Sequence, residues 1–217
     1  MIDLSKYRII DLSHELIPSE QKTDGHHRHG KPINGRPVDL SEFYHSDDNA
    51  RMHFIQSQTH NGTHVEASYK FSETGSDLAS MPIETYLGEA VACNFTQKAG
   101  HPLTPDDFKK AGVKQNDIVL AWSSSDGAYL TFEAVDWLVE IGIKALGLEN
   151  ISLAPPGTPL DESPTPDAKL LLAGIGFIDN GRGFDQITKP RVFFIGLPVR
   201  MRRATAFWTR AIVLEEL

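Results

Sequence analysis

Two histidines, a glutamate and a lysine crowd into residues 60–70 of the stretch SQTHNGTHVEASYKF (57–71). Imidazole nitrogens and a carboxylate converging on one point form the mixed donor set that suits Zn²⁺, Mn²⁺ or Fe²⁺. His60, His64 and Glu66 are therefore the candidate metal ligands. Side chains two apart on a strand share a face, so an extended VEASYKF sets His64, Glu66, Ser68 and Lys70 on one side. The same geometry packs Val65, Ala67, Tyr69 and Phe71 behind them, and Gly62 eases a tight turn that brings His60 to the same point. Spacing alone leaves a surface reading open, because histidines four apart beside an acid also occur by chance.

A divalent ion on three protein ligands keeps room for water, whose pKa falls from 15.7 to about 7 on zinc, and the resulting hydroxide attacks carbonyls. Lys70 beside such an ion supplies a fixed positive charge for a developing oxyanion, or a proton if its own pKa is depressed. An ammonium has no lone pair for a cation, so a second ion next to Lys70 is disfavoured and one ion per chain is expected, Zn²⁺ or Mn²⁺.

Around this motif, RIIDLSHEL (8–16) reads as a strand and residues 19–50 as a long loop, rich in Gly, Pro, His and Asp. His26, His27 and His29 in that loop read as solvated, and the histidine-bearing part around residues 24–31 as a lid or subunit contact. AVACNF is strand-like and makes Cys93 a buried, inert thiol. In LTPDDFKKAG, Thr104 caps a short helix that Pro105 starts and Gly112 ends. DIVLAW (117–122) and IKALGLE (143–149) read as buried strands flanking the helical TFEAVDWLVEIG, with Ala134, Trp137, Leu138 and Ile141 on its inner face. This parallel strand, helix, strand unit sets the class as α/β. A Pro-rich loop, a helix in DAKLLLAG, and strands in IGFID, RVFFIGLPV and RAIVLEE follow.

The chain has 217 residues, enough for a single domain over 1–217 with its own core. No apolar run approaches the roughly 20 residues that span a bilayer, and no secretory signal opens the chain, so a cytoplasmic protein without membrane contact is expected. A net charge of −8, from 21 basic and 29 acidic residues, argues against nucleic acid as partner. The basic cluster Arg200, Arg202 and Arg203 reads as solvated.

HNGTHVEASYKF resembles the HxGTHxDxPxHF signature of the cyclase family of metal-dependent hydrolases, whose best-known members are bacterial kynurenine formamidases and isatin hydrolases. RIIDLSHEL, GLEN (147–150), LPVRM and WTRAIVLEE are similar to other segments of that family. The resemblance implies a compact α/β domain with mixed sheets and flanking helices, the swivelling β/β/α cyclase-like fold. It also implies a homodimer or homotetramer and hydrolysis or ring opening of a small cyclic or aromatic amide or lactone. In two-metal members the first two histidines and the aspartate of the signature bind metal; its last histidine and a later histidine and glutamate serve a second ion. Carried over, His60 and His64 match, Glu66 replaces the aspartate, Lys70 the last histidine, Asp167 the later histidine and Asp179 the later glutamate. Asp167 and Asp179 join Lys70 and Glu66 as acid/base candidates, each also readable as a helix cap or loop acid. Ser68 stands where the signature has proline, its hydroxyl within reach of Glu66, and Arg210 matches a C-terminal arginine read as a structural pair. Two other readings stay open: a metal-independent lyase, isomerase or cyclase using Lys70 with Glu66, and a small-molecule-binding protein without turnover.

Overall fold

The computed structural model describes residues 3–18, 38–47, 49–159 and 164–217, with the backbone alone of His27–Arg28 and Lys31–Pro32. The expectations for His26 and His29 lie outside the described residues, as does that for the side chain of His27.

Nine strands make the main sheet: β1 (Tyr7–Asp11), β2 (His64–Glu66), β3 (Leu87–Asn94), β4 (Ile118–Trp122), β5 (Ala145–Glu149), β6 (Gly176–Asp179), β7 (Arg191–Ile195), β8 (Ala206–Trp208) and β9 (Ile212–Glu216). Their spatial order is β1-β9-β7-β3-β4-β5-β6-β2-β8. The run β3-β4-β5-β6 is parallel, and every other pairing is antiparallel. Each parallel step carries a crossover helix, as parallel neighbours require: α1 (Pro105–Lys110), α2 (Phe132–Ile141) and α3 (Pro166–Leu172).

The helix ends follow from their caps. Thr104 N–H and Oγ1–H both donate to Asp107 at 2.8 Å, closing a capping box. The Thr131 hydroxyl accepts from the Ala134 N–H at 3.1 Å, and Gly142 at φ 71° ends α2. Thr165 caps α3, ahead of Pro166 in its first turn.

β4 is buried along its whole length, as a parallel strand covered on both faces should be. Its Val119 and Ala121 join Ala134, Leu138 and Leu170 beneath the helices, whereas Ile118, Leu120 and Trp122 join Val65, Tyr86, Phe184 and Phe194 on the other face. A smaller parallel sheet of Pro102–Leu103, Ala128–Leu130 and Ile151–Ser152 lies alongside. Among the described residues no helix is long and apolar enough to cross a membrane.

Two local expectations are corrected. Part of the expected loop is a hairpin, Asp39–Tyr44 against Arg51–Gln56, with Phe43 stacked on Phe54 at 4.6 Å. Nearly all its residues are exposed, Phe54 by 68% and Ile55 by 59%, so it has no buried face to impose a readable polar alternation. The extended run expected for VEASYKF stops at Glu66, and Ser68–Lys70 turn as a 3₁₀ helix. Val65 and Ala67 are fully buried as expected, but Phe71 is exposed, because the turn rotates it away from the core.

Candidate metal centre

β2 sits between β6 and β8, and this placement assembles the site. His64 pairs with Asp179 and Glu66 with Phe177 on one side; Trp208 and Ala206 face them on the other. Directly paired residues on adjacent strands project to the same face, so Asp179 is delivered to His64, with Oδ2 3.8 Å from Nε2. His60 returns over a turn at Gly62, whose φ is 57° and whose missing Cβ would lie 2.5 Å from Leu16 Cδ2. The positive φ favours glycine there, and any side chain would also have to displace the end of Leu16. Thr63 secures the turn by donating to the Asn180 carbonyl at 2.7 Å and accepting the His14 N–H at 2.9 Å.

The donor atoms of His60, His64 and Glu66 lie within 4.8 Å of one another. His60 Nδ1 is 2.9 Å from Glu66 Oε1, and its Nε2 is 3.2 Å from Thr205 Oγ1. His64 Nδ1 lies 2.9 Å from the Gly62 carbonyl oxygen, which can only accept, so Nδ1 carries the proton. The Nε2 lone pair of neutral His64 then points toward Glu66 Oε1 at 3.4 Å and Asp179 Oδ2 at 3.8 Å, acceptor against acceptors. A shared proton, a hydrogen-bond donor or a metal ion would each satisfy that arrangement, and the last can be tested against the donor set. Burial opposes the protonation of His64, yet Glu66 and the negative Asp179 raise its proton affinity above the ordinary value. Burial likewise opposes the charge of Glu66, but hydrogen bonds from His60 and His64 and the charge of Lys70 outweigh it and hold the carboxyl far below the usual range.

These residues fit a divalent ion. Two ligands at about 2.0–2.2 Å in tetrahedral geometry sit roughly 3.3 Å apart, close to the 3.4 Å between His64 Nε2 and Glu66 Oε1. The backbone bond at His64 Nδ1 is the outer contact that orients a metal-binding imidazole.

Lys70 reaches the centre from its 3₁₀ turn. Its Nζ donates to Glu66 Oε2 at 2.7 Å and to Asp167 Oδ2 at 2.8 Å. Asp167 is buried in the first turn of α3, where Thr165 Oγ1 donates to it at 2.5 Å. Asp167 is therefore not the cap, a role held by Thr165. The Ser68 hydroxyl accepts from the Ser76 N–H at 2.9 Å; the contact foreseen with Glu66 is not the one it makes.

A cavity of about 750 Å³ opens beside Asp179, with Tyr129, Leu148, Glu149, Asn150 and Arg182 in its walls. It lies past the carboxyl ends of β5 and β6, where open α/β sheets place ligands because loops diverge there. Its size suits a small organic molecule.

Arg210 is exposed and pairs with Asp11, a structural contact away from the metal ligands. Arg200, Arg202 and Arg203 are exposed. Cys93 is fully buried, and burial pushes its thiol up to about 12. Two supporting residues escaped the sequence reading: Thr205, at His60, and Tyr86, whose hydroxyl donates to the Glu66 carbonyl at 2.8 Å. Neither carries a local signal, since each acts across a large sequence separation.

Residues 10–155 match the family described as "Putative cyclase". The chain is 28% identical to the kynurenine formamidase of Erythrobacter litoralis, over 97% of this chain and 95% of that protein. It is 27% identical to the kynurenine formamidase of Maricaulis maris, over 72% and 77%. Among solved structures, isatin hydrolase A from Labrenzia aggregata superposes with a TM-score of 0.75 at 21% identity, covering 98% of this chain and 95% of that one. A potential metal-dependent hydrolase with cyclase activity superposes at 0.72 and 17% identity, covering 97% and 99%.

Proposed function

The chain belongs to the cyclase family, and from that premise we propose that it is a metal-dependent hydrolase of a small aromatic or cyclic amide, with His60, His64 and Glu66 as ligands of one Zn²⁺ or Mn²⁺. One observation carries the reading: one donor atom each of His60, His64 and Glu66 lies within 4.8 Å of the others, the mixed imidazole and carboxylate set that suits such an ion. A divalent ion there would supply Lewis acidity and lower the pKa of water.

The protein's own groups would do the rest. Gly62 and Glu66 orient the two imidazoles, and Tyr86 anchors the Glu66 backbone. Asp179 borders both His64 and the cavity, so it is the group placed to accept a proton from water and return it to the leaving nitrogen. Lys70 donates to two carboxylates, the posture of a fixed cation rather than of a base, which favours the hydrolase over the metal-independent alternative. The relatives named for kynurenine formamide and isatin hydrolysis support an aromatic amide as substrate. A homodimer or homotetramer belongs to the same proposal; the exposed Met52 and Phe54, which share one face of the hairpin with Phe43, offer an apolar patch for it.

The test is elemental analysis of the purified protein, followed by assays on N-formylated aromatic amines and on isatin, beside His64→Ala. One ion per chain and amide hydrolysis, both lost in the variant, are expected. Full hydrolysis by the metal-stripped protein would overturn the proposal.

A further inference from the structure

We propose that the Lys70 ammonium is a tethered cation that limits this centre to one divalent ion, because it holds the position between Glu66 and Asp167 that a second ion would take. The inference rests on the metal-dependent reading above. Glu66 uses its two oxygens in opposite directions: Oε1 faces His60 and His64, while Oε2 faces Lys70. An ion held by His60, His64 and Glu66 would share this carboxylate with the ammonium, a positive centre that is covalently attached to the chain.

Burial makes the ammonium necessary. Glu66 is 1% exposed and Asp167 5%, and charges so far from water require a counter-charge. Lys70 supplies its charge to both carboxylates, at 2.7 Å from Glu66 and 2.8 Å from Asp167. A second divalent ion beside it would meet a like charge and a group with no lone pair to offer. Replacing the ammonium with a neutral side chain removes that repulsion and leaves the two carboxylates facing a position that a second ion can take.

The lysine is also held in place. Lys70 N–H bonds the Ala67 carbonyl at 3.0 Å, Tyr69 N–H bonds the Ser76 carbonyl at 3.0 Å, and the Ser68 hydroxyl accepts from Ser76 N–H, so the 3₁₀ turn has a set geometry. Asp167 is held on the other side by Thr165. Neither partner must reorganise to maintain the bridge, which lowers the entropy cost of keeping a long side chain in one conformer.

The experiment strips the full-length protein of metal, reloads it with Mn²⁺, removes free ion by gel filtration, and counts manganese by elemental analysis and electron paramagnetic resonance. The wild type should hold one ion with the signal of an isolated centre. Lys70→Gln should hold two with a spin-coupled signal, and Lys70→Gln with Asp167→Asn should return to one. Circular dichroism checks folding, and Lys70→Met, of similar volume, replaces Lys70→Gln should that variant misfold. Two ions in the wild type, or one in a folded Lys70→Gln and in Lys70→Met, would overturn the inference while leaving the hydrolase reading intact. A wild type that binds no manganese or zinc would overturn both.

Discussion

Glu66→Gln is the substitution that separates the carboxylate's two roles, ligand and counter-charge. The Glu66 side chain, in a residue 1% exposed, accepts from His60 Nδ1 at 2.9 Å and Lys70 Nζ at 2.7 Å and lies 3.4 Å from His64 Nε2. Breaking a buried charge cluster by neutralising one member costs about 3–5 kcal/mol. The lower end applies, since Lys70 keeps Asp167 and the glutamine oxygen still accepts one hydrogen bond. At roughly 2–4 °C per kcal/mol for a chain of this size, the metal-free variant should melt about 6–12 °C below the wild type. Ligation adds a second difference: an ion at a hundred times its Kd stabilises the folded state by about 2.7 kcal/mol, or roughly 5–11 °C. The wild type should show that rise on moving from chelator to saturating Zn²⁺ or Mn²⁺, and the variant should show little of it. Thermal unfolding followed by circular dichroism in both conditions measures the two numbers independently. A variant that melts with the wild type in chelator, or that keeps the full metal-induced rise, would refute the reasoning for that role.

Two other outcomes are expected away from the centre. Glu215 accepts from the N–H groups of Thr188 (2.6 Å) and Lys189 (3.0 Å), the Thr188 hydroxyl (2.9 Å) and Arg8 (2.7 Å). Burial opposes its charge, but the backbone N–H groups of Thr188 and Lys189 outweigh burial and hold its pKa below the ordinary 4.5. Its contribution is therefore complete above pH 4.5 and lost as pH falls toward the lower folded value. Glu215→Gln should cost about 2–4 kcal/mol in urea unfolding near pH 7, a gap that narrows near pH 3; a gap that widens in acid contradicts the sign. Cys93 is fully buried with its thiol pushed up to about 12, so it should resist a thiol reagent until the chain unfolds; prompt labelling of the native protein contradicts the core placement.

Much of the α/β core was legible in the sequence, because its signals are local. Thr131, Gly142 and the apolar spacing between them define α2, and the apolar runs on either side define β4 and β5. The clustering of His60, His64 and Glu66 was equally legible, since it follows from residue type and a short spacing. The hairpin at 39–56 escaped because an exposed ribbon has no buried face to impose a pattern. The family resemblance brought Asp167 and Asp179 to this motif, but only the tertiary structure decided which atom of the motif each distant group meets. Lys70 finds Asp167 at a separation of 97 residues and His60 finds Thr205 at 145, while β6 brings Asp179 opposite His64. Periodicity reports how a segment folds on itself; the meeting of side chains from separate segments depends on sheet order and register, set by the packing of the whole core.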